Sequence, residues 1–374
     1  MESLNRVTIS RAALAHNFDL CRQQAGGVGV MAMVKADGYG HGMIACAHLL
    51  AAHGAVAFGV AEAREGVCLR QAGCDLPIFV FAGVVPQSLP GIVEHRLTPV
   101  VVDAEILPEL SRDAVLQGVE LPIHLKVDAG MGRQGTLPAG FTELARTAQS
   151  LPGLRVEGVM AHLPMSEDRE STNSAEVLAT FNQAAAGIAQ LGEGRCCLHL
   201  ANSGGLFYVA GARLDMVRLG IALYGYYPDG AAGRAAAAEP LLRPVLRFTS
   251  SVIQVRQLPA GVGLGYNHLF ITVRPTTVAV LPVGYEDGYL RILSNRAEVL
   301  LHGRRVPVIG RISMNLTLVD ATSIDGVRVG DEAVLLGRQG EEEITADDIA
   351  RWMETISYEV LCLFGNLNQR EMVD

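Results

Sequence analysis

The sequence predicts an α/β protein, an N-terminal (β/α)8 barrel of the TIM type followed by a mainly β C-terminal domain. Three observations carry this prediction. Short, continuously apolar runs recur through the first 225 residues, separated by alanine- and leucine-rich stretches with helical spacing. After a small-residue linker, "PDGAAGRAAAAEP" (228–240), strand-like runs follow one another without long helices. Polar residues in the first part gather just where the apolar runs end, which is where barrels place their chemistry.

The runs expected to be barrel strands are "VGVMAMVK" (28–35), "AVAFGVA" (55–61), "LPIFVFAG" (76–83), "LTPVVVD" (97–103), "LPIHLKVD" (121–128), "RVEGVMAHL" (155–163), "CCLHLANS" (196–203) and "DMVRLGIALYG" (215–225). They do not alternate, as expected for strands covered on both faces. Segments such as "MIACAHLLAAHG" (43–54) and "AEVLATFNQAAAGIAQLG" (175–192) read as the intervening helices, with glycine at their ends. A doubly wound sheet is the competing architecture, since eight alternations do not prove closure.

In the second part, "VLRFTSSVIQVRQL", "TTVAVLPVGY", "AEVLLHG", "VPVIG", "LTLVDAT" and "EAVLLG" read as strands. "ITADDIARWMETISYEVLCLFG" (344–365) reads as a helix capped by Thr345, with Asp347 and Asp348 in its first turn. The domain limits expected are 1–235 and 236–374, with the first ten or so residues able to join the second domain.

Composition narrows the function. The 374 residues are 49% hydrophobic and 18% charged, with net charge −9, which disfavours a nucleic-acid or anionic-membrane surface. The start, "MESLNRVTIS", lacks the basic and apolar regions of a signal peptide, and no apolar stretch is long enough to span a bilayer. Seven cysteines (21, 46, 68, 74, 196, 197 and 362) form no C-x-x-C pair. Reduced thiols in a cytoplasmic protein, with no metal site, are the expectation.

The strand ends carry Lys35, Lys126, Arg133, His162, Asn202, Ser203 and Arg218. Each has an ordinary structural reading: Lys35 can mark a strand meeting water, His162 can be a core histidine, Ser203 a helix cap and Arg218 a salt-bridge partner. Their convergence on one rim suggests more. A lysine can form a Schiff base with a carbonyl compound or with pyridoxal phosphate. "NSGG" offers a hydroxyl and backbone donors for a phosphate, and "GYGHG" adds the hydroxyl of Tyr39. The loop does not match a dinucleotide fingerprint. Arg133 has the planar fork that grips a carboxylate.

At this point the residues resemble a family. "VKADGYGHG" (34–42) is similar to the pyridoxal-phosphate lysine motif of the alanine racemases, fold-type III enzymes. "HLKVDAGMGRQG", "ANSGG", "MVRLGIALYG", "LGYNHLF", "LPVGYEDGY", "GRISMNLTLVD" and "ISYEVLC" follow in the family's order, so the resemblance covers nearly the whole chain.

The resemblance implies interconversion of L- and D-alanine by two bases, Lys35 holding pyridoxal 5′-phosphate and Tyr266 acting on the opposite face. It implies a homodimer in which Tyr266 comes from the partner subunit, and supply of D-alanine for peptidoglycan. Tyr39, Ser203, Tyr358 and the amides of Gly220 and Ile221 would seat the phosphate. Arg218 would face the pyridine nitrogen, with His162 beside it. Arg133 and the amide of Met314 would bind the substrate carboxylate, Lys126 aligns with a lysine that is carbamylated in some members so that its new negative charge orients the arginine, and Tyr285, Tyr289, Arg291 and Arg311 would line the way in. A racemase for serine or a broader set of amino acids, or a non-catalytic pyridoxal-phosphate carrier, are the alternatives. The chain departs from the family pattern at Asn267, where glycine is more usual, at "SMN" (313–315) and at Leu163-Pro164.

Overall fold

The computed structural model describes residues 3–189, 196–237 and 241–374. Two compact units emerge. One comprises Leu14–Gly38 and Met43–Leu242; the other comprises Met1–Ala13, Tyr39–Gly42 and Arg243–Asp374.

The first unit is a parallel barrel, which removes the doubly wound alternative. Its strands in chain order are Gly29–Met33, Ala57–Val60, Ile78–Val80, Thr98–Val101, Leu121–Lys126, Leu154–Met160, Cys197–His199 and Met216–Leu219. Sequential strands are neighbours from the first to the seventh, and the eighth returns to pair with the first, Gly29 opposite Met216. The seventh and eighth are bridged by the amide of Asp215 donating to Leu198 O (3.0 Å) and that of Arg218 to Ala201 O (2.9 Å). The second, third, fourth and eighth strands are buried at every position. This is why their sequences read as unbroken apolar runs.

Each strand is shorter than its apolar run. The first stops at Met33, so Lys35 lies in the turn beyond it; the seventh stops at His199, and Ser203 opens the helix Ser203–Tyr208. Apolar residues past a strand end still face the core, so composition alone overextends the element. The expected helix from 175 is Asn173–Ala189, and positions 190–192 lie outside the described residues. The expected linker contains a short helix, Ala231–Ala236, and its last residues, 238–240, lie outside the described residues.

The second unit is mainly β. Arg304–Pro307, Glu298–Leu301, Glu332–Gln339, Leu246–Ser251, Arg6–Ser10 and Arg370–Val373 lie side by side in that order. Gln254–Leu258, Thr276–Leu281 and Thr317–Asp320 form a separate three-stranded sheet. The run "VLRFTSSVIQVRQL" is therefore two strands in two sheets. Thr345 caps its helix as expected: its Oγ accepts from Asp348 N (3.1 Å) while the Asp348 carboxylate accepts from Thr345 N (3.0 Å). The expected long helix breaks at Glu354, which turns left-handed (φ 59°), giving Ala346–Met353 and Ser357–Leu367. Among the described residues no helix is long and apolar enough to cross a membrane.

A close backbone approach locks the 39–42 segment into this unit. A Cβ on Gly365 would fall 1.8 Å from the carbonyl oxygen of Gly40, which also accepts from Arg370 Nη1 (3.2 Å). Backbone cannot yield as a side chain does, so Gly365→Ala is expected to cost about 2 kcal/mol, within the range for overpacking. Urea unfolding measures this; an unchanged midpoint would contradict the contact.

Candidate functional site

The first barrel strand delivers Lys35 into an unusual turn. Five successive residues, Ala36 through Gly40, have positive φ (54, 53, 66, 54 and 84°). Only two are glycines, and left-handed backbone costs roughly 1–2 kcal/mol at an ordinary L-residue. Side chains hold it in place. The Glu65 carboxylate accepts from the amides of Ala36 (2.8 Å) and Ala61 (2.7 Å), and Asp37 Oδ1 accepts from Met43 N (2.7 Å). Neither acid stood out in the sequence. Backbone strain over-determined by its surroundings is a mark of functional turns.

The other barrel candidates lie at the same C-terminal rim. Lys126 ends the fifth strand, buried, with Nζ donating to Gln134 Oε1 (3.2 Å). Burial, then the charges of Arg133, Arg218 and Lys35, pull its amine down to about 8, with Asp128 acting the other way. Arg133 is exposed on a loop closed by Asp128, whose Oδ1 accepts from the amides of Gly130 (3.1 Å) and Gly132 (3.0 Å). His162 follows the sixth strand.

Asn202, not Ser203, is the cap of the helix after the seventh strand, its Oδ1 accepting from Gly205 N (2.9 Å). This frees Ser203, whose buried Oγ accepts from the amides of Gly220 (3.2 Å) and Ala222 (3.3 Å). Ile221 lies between these two, and Ala222 was missed in the sequence.

Arg218 is the centre of the rim and is 3% exposed. Its Nη1 donates to His199 O (2.8 Å) and His199 Nδ1 (3.1 Å); its Nη2 donates to Ala161 O (2.8 Å), Leu200 O (3.0 Å) and His162 Nδ1 (3.3 Å). His199 Nε2 in turn meets His124 Nδ1 at 2.8 Å. Among the described residues no carboxylate pairs with Arg218, so the salt-bridge reading is wrong. Burial lowers its pKa to about 9, below the ordinary arginine range, and it remains a cation at neutral pH. His124 and His199 also went unnoticed in the sequence. The available signal was two histidines inside otherwise apolar strand runs, "LPIHLKVD" and "CCLHLANS".

The remaining candidates belong to the β-rich unit. Tyr39 is buried with its ring centroid 6.1 Å from that of half-buried Tyr358. Burial, with Tyr358 and Cys362 nearby, raises the Tyr39 pKa, so its phenol stays protonated and can donate. Tyr266 is 67% exposed, in a turn where Gly265, Asn267 and His268 have positive φ (63, 58 and 45°). Asparagine tolerates that region better than most residues, which explains how Asn267 can replace a glycine.

Met314 is exposed on a loop whose Ser313 and Met314 carbonyls receive the amides of Tyr285 (3.2 Å) and Glu286 (3.1 Å). Arg291 is exposed. Arg311 has a buried Nε with no hydrogen-bond partner among the described residues. Tyr289 does not line an approach. It is fully buried and stacks near Phe364, centroids 6.3 Å apart, so it packs the core of the β-rich unit.

A lysine on a braced turn, a buried hydroxyl among backbone amides and a carboxylate-free arginine, all at one barrel rim, define a lysine-anchored cofactor enzyme. The donor set fits pyridoxal 5′-phosphate: an amine for covalent attachment, and a serine hydroxyl with the 220–222 amides for the phosphate. Comparisons with known proteins agree. Residues 9–228 match the family model "Alanine racemase, N-terminal domain" and residues 245–372 match "Alanine racemase, C-terminal domain". The chain belongs to the alanine racemase family. It is 39% identical to an alanine racemase of Syntrophobacter fumaroxidans over 96% of this chain and 95% of that one. The solved alanine racemase of Streptomyces lavendulae is 30% identical with a TM-score of 0.92, covering 100% of this chain and 98% of that one. That of Bartonella henselae, solved with covalently bound pyridoxal phosphate, is 28% identical with a TM-score of 0.89, covering 99% of both.

The buried histidines make stability depend on pH. Burial, then the Arg218 charge, lowers His124 to about 3 and puts His199 well below its ordinary value, with His124 lowering His199 further. The unfolded chain, with ordinary values near 6.5, therefore binds more protons in mild acid. Stability is complete above about pH 6.5 and falls as pH drops toward 3, by up to about 1.4 kcal/mol per pH unit for each ring. Urea midpoints at pH 7 and pH 5 test this; equal midpoints would contradict neutral buried rings.

Proposed function

We propose that this chain interconverts L- and D-alanine, with Lys35 and Tyr266 as the two proton-transferring bases. The observation that carries the reading is the barrel rim, where the braced Lys35 turn shares one end of the barrel with Arg218 and the Ser203 cradle. When bound, pyridoxal 5′-phosphate supplies the electron sink that lets the α-proton of an amino acid leave at neutral pH. The chain's own residues do the rest. Ser203, the amides of Gly220 and Ile221, and the phenols of Tyr39 and Tyr358 bind the phosphate.

Arg218 faces the pyridine nitrogen as a cation that holds it without readily surrendering a proton, with His162 beside it. Arg133 and the Met314 amide bind the substrate carboxylate, and a carbamate on the Lys126 amine would supply the negative charge that orients Arg133. Arg133, exposed on a glycine-rich loop, can swing to a ligand. Lys35 Nζ moves the proton on one face of Cα and Tyr266 Oη on the other, so inversion needs no turning of the substrate. Tyr285, Arg291 and Arg311 guide the amino acid in.

Tyr266 acts in the site of a second copy. Support comes from the exposed apolar side chains near it in sequence, Leu269 (39%), Ile271 (55%) and Val273 (87%), a surface that a partner subunit would cover. The protein works in the cytoplasm, and its product supplies peptidoglycan synthesis.

The test incubates the protein with pyridoxal phosphate in D2O, with L-alanine and L-serine in separate tubes. D-Alanine carrying deuterium at Cα, with little D-serine, is expected; dominant D-serine or no exchange would overturn the substrate assignment. Tyr266→Phe should retain the cofactor but lose roughly 10²–10⁴-fold in turnover, the value of a positioned base. Wild-type rates from that variant would remove Tyr266 from the mechanism.

A further inference from the structure

Arginine offers only donors, and this dictates every proton along the barrel core. Since Arg218 Nη1 donates to His199 Nδ1, that nitrogen is a bare acceptor. Neutral His199 then carries its proton on Nε2 and gives it to His124 Nδ1 at 2.8 Å. Neutral His124 in turn carries its proton on Nε2. The ring of His124 lines a cavity of ≈680 Å³ together with Ala57, Phe79, Glu157, Cys197 and Met216. Ala57, Cys197 and Met216 are the first residues of their strands, so this cavity lies at the N-terminal mouth, opposite the rim that holds Lys35.

We propose that His199 and His124 are positioning residues for Arg218: a one-way donor relay that fixes the guanidinium from beneath and ends in the cavity at the barrel's N-terminal mouth. The proposal rests on the racemase reading for its purpose, not for its geometry. His199, His162 and the three carbonyls occupy the terminal nitrogens of Arg218. Nε–H is left as the donor for a ring nitrogen at the rim.

The choice of imidazole matters chemically. A carboxylate partner would orient the guanidinium too, but would cancel much of its charge in a low-dielectric core. A neutral imidazole lone pair fixes direction and leaves the charge intact. Packing enforces the arrangement: the His124 ring fills the space beside Gly158, where a Cβ would fall 2.2 Å from Nδ1, and stands edge-on to Phe79 with centroids 4.7 Å apart. A ring flip that presented a proton to Arg218 would set donor against donor.

The direct test is 15N-edited NMR of the histidine rings in the pyridoxal-phosphate-loaded protein. His124 and His199 should each show a protonated Nε2 and a bare Nδ1 at pH 7, with the His124 N–H exchanging faster because it faces the mouth cavity. A protonated Nδ1 on His199, or faster exchange at His199 than at His124, would overturn the relay without touching the racemase reading. Conversely, wild-type protein lacking Cα exchange in D2O would sink that reading and leave the tautomers standing.

Variants separate positioning from packing. His199→Leu should lower kcat about 10- to 100-fold, the range typical when a partner that orients a site's ligand is removed, with KM for alanine changed far less. The bound cofactor's absorption spectrum should shift in parallel. His124→Gln, whose side-chain oxygen can accept from His199 Nε2, should keep the wild-type spectrum and kcat, whereas His124→Leu should not. Equal behaviour of the Gln and Leu variants would reduce His124 to a packing residue and overturn the proposal.

Discussion

The constraint on which the site depends is the left-handed turn that begins directly after Lys35. A parallel strand leaving a barrel would ordinarily run straight into a right-handed helix. Here Ala36 to Gly40 wind the other way, held by Glu65 on the turn's first amide and by Asp37 on the amide of Met43. The carboxylates offset a backbone cost of several kcal/mol by charge-assisted hydrogen bonds. Lys35 is thereby attached to a rigid base. Residues Tyr39–Gly42, from within the turn onward, belong to the β-rich unit, where the Gly40 carbonyl fits against Gly365.

Electrostatics at the rim follow from a second choice, the burial of a cation without an acid. An isolated buried charge is expensive unless its hydrogen bonds are met. Arg218 meets them with carbonyls left over at the ends of the sixth and seventh strands and with imidazoles that must stay neutral to serve. The uncompensated charge then spreads its influence, helping to pull the Lys126 amine down and to keep His124, His162 and His199 unprotonated. A site of this sign suits a phosphate and a carboxylate and excludes stray cations.

Much of this was legible in the sequence because it is carried by single residues at strand ends. Lys35, Lys126, His162, Ser203 and Arg218 are polar residues interrupting apolar runs, and a barrel sends such residues to one rim. What stayed hidden was made by pairing across distance. Glu65 looks like an ordinary helix-start acid until its oxygens meet the amides of Ala36 and Ala61. His124 and His199 lie 75 residues apart and gain meaning only when the fifth and seventh barrel strands, either side of the sixth, bring their rings together. Strand limits and the break at Glu354 were misjudged for a simpler reason, since apolar composition continues beyond the point where the backbone turns. Tyr289 shows the converse error: a tyrosine in a motif that matches an approach path is spent on the core.

The central claim is that the strained turn presents Lys35, and not another amine of the rim, to the cofactor. Borohydride reduction of the pyridoxal-phosphate-loaded protein, followed by peptide mass mapping, tests it most directly. The account predicts a single phosphopyridoxyl adduct, on Lys35. An adduct on Lys126, whose lowered pKa makes it the chemically plausible rival, or one spread over several lysines, would contradict it.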